Sequence, residues 1–475
     1  MKKTFLKLAL IALASPIFLC ACNFEKTTTS PKYVFYFISD GTGINTVLGT
    51  EMYHASLADT IGRAPLCMTQ FPVVGVATTH SASSPVTDSA ASGTALATGG
   101  KTGNGVIGKA ADGKTDLYSI AHYAKQAGTR VSVGSSVCLN HATPSAFYAH
   151  NKSRNNYYEI GAQAPEAGFD FYVASGFNKA VPKDSTLADL YTIATDSGYV
   201  FARGLSDYYC KSDSAERMFL FQPEGRDPFS LPYAIDARPE HMTAAQMVEA
   251  QIDFMMKDST AGFFIMNEVG GKVDMACHAN DGATAFAEVA MVDSCVRIAY
   301  EFYLRHPQQT LIVVTSDHET GGLVLSPKHT GDLKILSSQK GSQDAFTARL
   351  HELRSETHNR VAWEQIKEAL ADHYGFWSEI KLTDAEEKEL KHIYEKSFKG
   401  KMPNEKNLYS ENEPLAGTAN RIINAKAGLR WATGSHSAGL VPVYAIGVGA
   451  EHFSTCNDNA LIPLQIAKIA GYPMP

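Results

Sequence analysis

The sequence predicts an α/β protein: a three-layer sandwich whose central sheet is mostly parallel and doubly wound, with an inserted helical cap or crown. Three observations carry this. Short, near-continuous runs of β-branched and aromatic residues recur along the chain, as strands covered on both faces require. Helix-like segments separate them, the alternation expected of a parallel sheet. Polar residues follow several runs directly, at the carboxyl ends where such sheets bind ligands.

Taken in order, the first element is a leader. Residues 1–22 read MKKTFLKLALIALASPIFLCAC. Lys2, Lys3 and Lys7 form a basic start, and the apolar stretch 8–19 is too short for a bilayer core of ~30 Å, which needs about 20 residues. It is read as a signal peptide. Its end, Leu19-Cys20-Ala21-Cys22, resembles a bacterial lipobox, so Cys22 is the expected lipidated first residue; ordinary secretory cleavage nearby is the alternative. Residues 23–32 (NFEKTTTSPK) read as a polar tether. The expected location is periplasmic or cell-surface, lipid-anchored to a bacterial membrane.

Five apolar runs are then expected as parallel strands: 33–39, 130–137, 262–267, 310–316 and 441–448. Segments 116–126 and 282–304 read as helices. Residues 327–430 are charge-rich, with helical stretches at 363–374 and 383–398, and read as a variable insertion within one domain spanning 33–475. A solvated excursion with no role in the chemistry is the alternative. There are no internal repeats.

The chain has 475 residues, 44% hydrophobic and 19% charged, which excludes general disorder. Its net charge is −7; without residues 1–21, which hold three lysines and no acid, it is −10. Such a body has no electrostatic footprint for nucleic acid. An anionic substrate must be captured locally, by arginine or metal. Beyond the leader there are six cysteines: Cys67, Cys138, Cys210, Cys277, Cys295 and Cys456. An even number in an exported chain allows disulfides, and free buried thiols are equally open. No CxxC pair occurs, which argues against a thiolate zinc site.

The chemistry-bearing residues lie at strand ends. Asp40 follows the first run, in SDGTG, though Asp-Gly is also a common turn. Asp317-His318 follows the 310–316 run; a carboxylate and an imidazole there suit zinc, or a cap. Asp274 and His278 are four apart, which puts both on one helix face. His436, in GSHS, precedes the last run. Ser89, in VTDSAAS, is followed by small residues. A helix starting there places its hydroxyl at the positive end, where free N–H groups favour an alkoxide and a bound anion. The ordinary alternative is that Asp88 or Ser89 only caps the helix. No histidine is poised as in a hydrolase elbow, so metal activation would replace a general base.

Together these residues resemble the bacterial alkaline phosphatases. The resemblance covers roughly 33–154, 262–325 and 425–450, and is most specific at 86–108 (VTDSAASGTALATGGKTGNGVIG), reinforced by SDHETGG and the His436 segment. It implies hydrolysis of phosphate monoesters through a phosphoserine on Ser89, with two Zn²⁺ and one Mg²⁺. One zinc would be held by Asp274, His278 and His436, and the other by Asp40, Asp317 and His318. Magnesium would use Asp40, Thr143 and Glu268. Arg154 matches the family's phosphate-binding arginine, whose rigid fork suits two non-bridging oxygens. The implied partners are small phosphomonoesters and inorganic phosphate, not nucleic acid, and relatives are often homodimers. A phosphodiesterase of the same superfamily, or a non-catalytic metal- or phosphate-binding surface lipoprotein, are the other readings.

Three departures stand out. Glu268 is six residues before Asp274 where the family usually has five; strand register favours Glu268 over Val269 as the ligand. His141 stands where some relatives have aspartate, and is included among the metal-site residues. Met275 stands where relatives often have lysine, histidine or tryptophan.

Overall fold

The computed structural model describes residues 30–326, 332–400, 402–455 and 458–475. The signal peptide, Cys22 and most of the tether lie outside the described residues, as does Cys456. Among the described residues no helix is long and apolar enough to cross a membrane.

A nine-stranded sheet forms the centre. Its strands are β1 (Tyr33–Ile38), β2 (Val73–Ala77), β3 (Arg130–Ser135), β4 (Phe171–Ala174), β5 (Val200–Arg203), β6 (Met218–Phe221), β7 (Phe263–Glu268), β8 (Thr310–Thr315) and β9 (Val441–Gly447). Their spatial order is β2-β9-β8-β1-β7-β3-β4-β6-β5. β1 pairs in parallel with β7 (Phe37 opposite Asn267) and with β8 (Ile38 opposite Thr315). β3 pairs in parallel with β7, placing Ser135 opposite Glu268.

β9 departs from the expectation of a parallel strand at 441–448. It runs antiparallel to both β8 and β2. Its apolar run is buried like the others, so composition alone could not reveal direction. β2, β4, β5 and β6 were not expected; the last three have four residues each, too few to stand out as runs.

The strand period of two divides the core. Val34, Tyr36 and Ile38 of β1 join one cluster with Leu96, Ile120, Ile160 and Ile466 from helices on that face. Tyr33, Phe35 and Phe37 join the other, with Val248, Phe254, Val289 and Val296. Each large apolar side chain so buried contributes about 1.5–3 kcal/mol, which makes β1 core rather than surface. The helices on the two faces include Ser89–Thr98 and Ile120–Gln126 on the first, Ala244–Met256 and Gly282–Arg305 on the second. The described part of the insertion forms helices Gln343–Glu356, Trp363–Tyr374, Asp384–Tyr394 and Pro414–Ala427. They build a third cluster that includes Phe346, Leu350, Leu370 and Ile423 and reaches the body through Phe286 and Leu323. The described cysteines form no disulfide, and all but Cys210 are buried.

Candidate active site

The site lies along the edge where the parallel strands end. Asp40 is the second residue after β1. Glu268 is the last of β7 and is fully buried, while Val269 joins the hydrophobic core. Asp317 and His318 follow β8. His141 and Thr143 lie in the connection after β3, Thr143 within the single turn Ala142–Ser145. Because β9 runs the other way, its start reaches the same edge. There His436–Ser437 pairs antiparallel with Glu319–Thr320, and the rings of His436 and His318 stack with centroids 3.6 Å apart. Asp274 and His278 lie on one face of the helix Gly271–His278, as their spacing predicts.

These side chains converge. Nε2 of His278 is 3.5 Å from Asp274 Oδ2 and 3.1 Å from His436 Nε2. Nε2 of His318 is 3.4 Å from Asp40 Oδ1 and 3.3 Å from Asp317 Oδ2. Thr143 Oγ1 donates to Asp40 Oδ2 at 3.1 Å, and His141 Nδ1 is 3.9 Å from Glu268 Oε1. Three groups have ligand atoms close enough to share a cation: Asp274, His318 and His436; Asp40, Asp317 and His318; Asp40, His141 and Glu268. Asp40 and His318 are thus each common to two groups.

The donor chemistry fits metal ions. Asp40 Oδ1, Asp274 Oδ2, Asp317 Oδ2, Glu268 Oε1 and His141 Nδ1 are all buried with no hydrogen-bond partner. Buried carboxylate oxygens left so are costly unless a cation meets them. The imidazoles are set accordingly: Nδ1 of His278 faces the Gly434 carbonyl at 2.8 Å, and Nδ1 of His436 faces the Thr87 carbonyl at 2.9 Å. Those partners place the protons on Nδ1 and leave two Nε2 lone pairs facing each other, the usual arrangement of a ligating histidine. Thr320 Oγ1 donates to Asp274 Oδ1, and Ser135 Oγ donates to Glu268.

The mutual repulsion shows in the proton affinities. Burial, then Asp317, Asp274 and Glu268, raises the Asp40 carboxyl well above 3.8. Burial, then Asp274 and Glu268, does the same to Asp317. Burial also opposes ionisation of Asp274, but His278, His436 and His318 outweigh it and hold its carboxyl well below that value. His318 is pushed far down by burial and by His436.

Ser89 begins the helix Ser89–Thr98 and is fully buried, with Oγ 3.2 Å from His318 Nε2. Asp88 caps this helix, its Oδ1 accepting from Ala91 N at 3.0 Å, and its Oδ2 accepts from Arg154 Nη1 at 3.1 Å. The guanidinium therefore sits beside the helix start, with Nη2 3.3 Å from His141 Nε2. Asn459 Nδ2 donates to Ser92 Oγ at 2.7 Å, and Ser92 Oγ donates to the Asp317 carbonyl, tying the last segment to the cluster. Outside lies a cleft of about 740 Å³ lined by His278, His436 and Asn104 and by inserted residues such as Asn407 and Arg421.

The alkaline phosphatase family model matches residues 31–180 and 195–472, the span that holds every one of these groups. The chain belongs to the alkaline phosphatase family. Alkaline phosphatase 4 of Bacillus subtilis is 28% identical over 383 residues, covering 79% of this chain and 74% of that protein. A cold-active alkaline phosphatase from Shewanella sp. superposes with a TM-score of 0.75 at 25% identity, covering 92% of this chain and 99% of the other. A histidine-to-aspartate mutant of the TAB5 alkaline phosphatase with Mg bound in its M3 site superposes at 0.65, with 25% identity over 93% of this chain and 99% of that one. The fold is therefore the alkaline phosphatase fold, and the metal-fitting donor groups lie within it.

All the residues singled out from the sequence between Asp40 and His436 meet at this edge. Sequence reasoning missed the Asp88–Arg154 contact and Tyr409. The Tyr409 ring lies 5.3 Å from that of His278, and burial, then Asp274, holds its phenol well above 10.0. The one sign of Tyr409 in the sequence is an aromatic among polar residues in the insertion, which is too common a pattern to single out.

Proposed function

We propose that the protein hydrolyses phosphate monoesters through a phosphoserine on Ser89. One observation carries this: Ser89 Oγ sits at a helix N-terminus 3.2 Å from His318 Nε2, beside a guanidinium fixed by the residue before it. The short separations of His278 from Asp274 and His436 support these three as ligands of one zinc, although the tightest donor group there has His318 in place of His278; the group Asp40, Asp317 and His318 supports a second. Asp40, Thr143 and Glu268 are the oxygen donors assigned to magnesium, with His141 adjoining. When bound, these cations supply Lewis-acid charge that offsets the phosphoryl oxygens and lowers the pKa of an oxygen nucleophile.

The chain's own groups do the rest. Arg154 takes two non-bridging oxygens and, with Asp88 behind it, orients the phosphoryl group toward Ser89. The helix N-terminus favours the Ser89 alkoxide. Oγ attacks phosphorus in line; the Oγ–P bond forms as the ester P–O bond breaks, and the alcohol departs with the proton that the serine hydroxyl gave up. Water then cleaves the phosphoserine, releasing phosphate and restoring the hydroxyl. Two inversions leave the configuration at phosphorus retained. We also propose that residues 1–22 direct export and that Cys22 carries the lipid, which rests on the leader sequence alone.

The test is hydrolysis of p-nitrophenyl phosphate against bis-p-nitrophenyl phosphate by residues 23–475, from pH 7 to 10, with Zn²⁺ and Mg²⁺ and again after chelation. Chelator-sensitive monoester turnover with little diester turnover is expected; a diester preference would assign a phosphodiesterase instead. Ser89→Ala should retain zinc and lose turnover by at least about a thousandfold, the scale on which lost nucleophiles are felt. A variant as active as the parent would remove Ser89 from the mechanism.

A further inference from the structure

The inserted region sends a hairpin to the metal-fitting cluster. Glu405–Lys406 pairs antiparallel with Glu411–Asn412. One side chain holds the turn between them: Asn407 Oδ1 accepts from Tyr409 N at 2.8 Å and Ser410 N at 2.7 Å, while its Nδ2 donates to Ser410 Oγ at 2.8 Å. Such a side-chain-bonded turn has few alternative conformations. It leaves Leu408 58% exposed and turns Tyr409 inward. The base of the hairpin is anchored as well. Thr347 Oγ1 donates to Asn412 Oδ1 at 3.3 Å, and Arg354 Nη2 donates to Glu413 at 2.7 Å.

The Tyr409 ring packs edge-on against His278 and lies 6.0 Å from the ring of His141 and 6.4 Å from that of Phe229. Its hydroxyl is buried and makes no hydrogen bond of normal geometry, although the Asp274 carboxylate and the Arg154 guanidinium both act on it. A buried tyrosine hydroxyl ordinarily finds a partner. This one has been delivered by a rigid turn to the space between the phosphate-orienting arginine and the Asp274–His278 face. A tyrosine hydroxyl can donate a hydrogen bond to an anionic oxygen.

We propose that Tyr409 is a substrate-binding residue whose hydroxyl donates a hydrogen bond to a non-bridging oxygen of the phosphoryl group, beside Arg154. This rests on the phosphomonoesterase reading. It gives the insertion a part in the reaction, because the hairpin that carries Tyr409 belongs to that segment. The rival arrangement is donation to Asp274 alone, which would make Tyr409 a positioning residue for a metal ligand.

The experiment titrates inorganic phosphate into zinc-loaded parent protein and Tyr409→Phe by calorimetry, with bound zinc counted in both. KM and kcat for p-nitrophenyl phosphate are measured in parallel. Phenylalanine keeps the ring contacts, so folding is preserved. Loss of a hydrogen bond to a charged oxygen should weaken phosphate binding roughly tenfold to a hundredfold at unchanged zinc content. Unchanged phosphate affinity in the variant overturns the proposal. So does a loss of zinc in place of the phosphate effect, which is what the rival arrangement requires. Parent turnover with no effect of the substitution overturns the Tyr409 role alone. Absent monoester turnover, with phosphate binding still weakened by the substitution, overturns the enzymatic reading alone.

Discussion

Asp88 serves two structures with one carboxylate. Oδ1 accepts from Ala91 N and Gly105 N, each at 3.0 Å, and Oδ2 accepts from Arg154, 66 residues further along the chain. The cap that starts the Ser89 helix therefore also aims the Arg154 guanidinium, the proposed phosphate-binding group. Asp88→Asn separates the two, because asparagine caps helices as well as aspartate does but brings no charge to Arg154. Stability should stay within about 1 kcal/mol while the inhibition constant for phosphate rises several-fold, roughly the value of one charge-assisted hydrogen bond. Thermal melting and phosphate inhibition, measured side by side, check it. Half of this arrangement was legible. The VTDSAAS segment announces a capped helix, and Arg154 stands out through the resemblance. The bond between them was not, since nothing local encodes a contact between side chains so far apart in sequence.

At the scale of the element, the helix Gly271–His278 and the turn after β1 are one unit. Gly41 has φ +75°, and a Cβ there would fall 2.6 Å from the Asp274 Cα. The absence of a side chain lets the Asp40 turn lie directly on the helix that carries Asp274 and His278. Gly41→Ala combines a left-handed penalty of about 1–2 kcal/mol with a clash against backbone that cannot rotate away. A loss of more than about 2 kcal/mol in denaturant unfolding is expected, together with weaker zinc retention. Periodicity made the helix readable, since Asp274 and His278 fall one turn apart. Strand direction was not readable: the run at 441–448 looks parallel by composition, and antiparallel pairing on both sides is what brings His436 to the cluster.

Across the whole molecule, a body of net charge −10 brings four buried carboxylates together at one edge: Asp40, Glu268, Asp274 and Asp317. In metal-stripped protein this is a stability liability with a definite sign. Asp40 and Asp317 are raised above 3.8 in the fold, so the folded state binds more protons than the unfolded state above that pH. Their contribution is favourable at low pH and is lost as pH rises through the raised values. Asp274 is lowered and runs the opposite way. The two raised groups outnumber it, so chelated protein should melt progressively lower as pH rises above 3.8, and zinc should remove most of that slope. A slope unchanged by zinc would mean that the metals do not bind this cluster. The leader makes a separate prediction: Cys22→Ser should move the expressed protein from the membrane fraction to the soluble exported fraction, read by fractionation and fatty-acid labelling.

Local signals carry the α/β class, the positions of the longest strands and helices, and Asp40, Ser89, Asp274, His278, Asp317 and His318 as candidates, while Thr143, Glu268 and Arg154 come from the family resemblance. Each local signal depends on an interaction within a few residues: alternation, helical spacing, a cap, or a carboxylate or imidazole just past an apolar run. The direction of β9, the sharing of Asp40 and His318 between neighbouring ligand groups, the Asp88–Arg154 bond and the inward turn of Tyr409 exist only in the folded chain. They arise when distant segments are packed against one another, and packing is a property of the whole core rather than of any stretch of sequence.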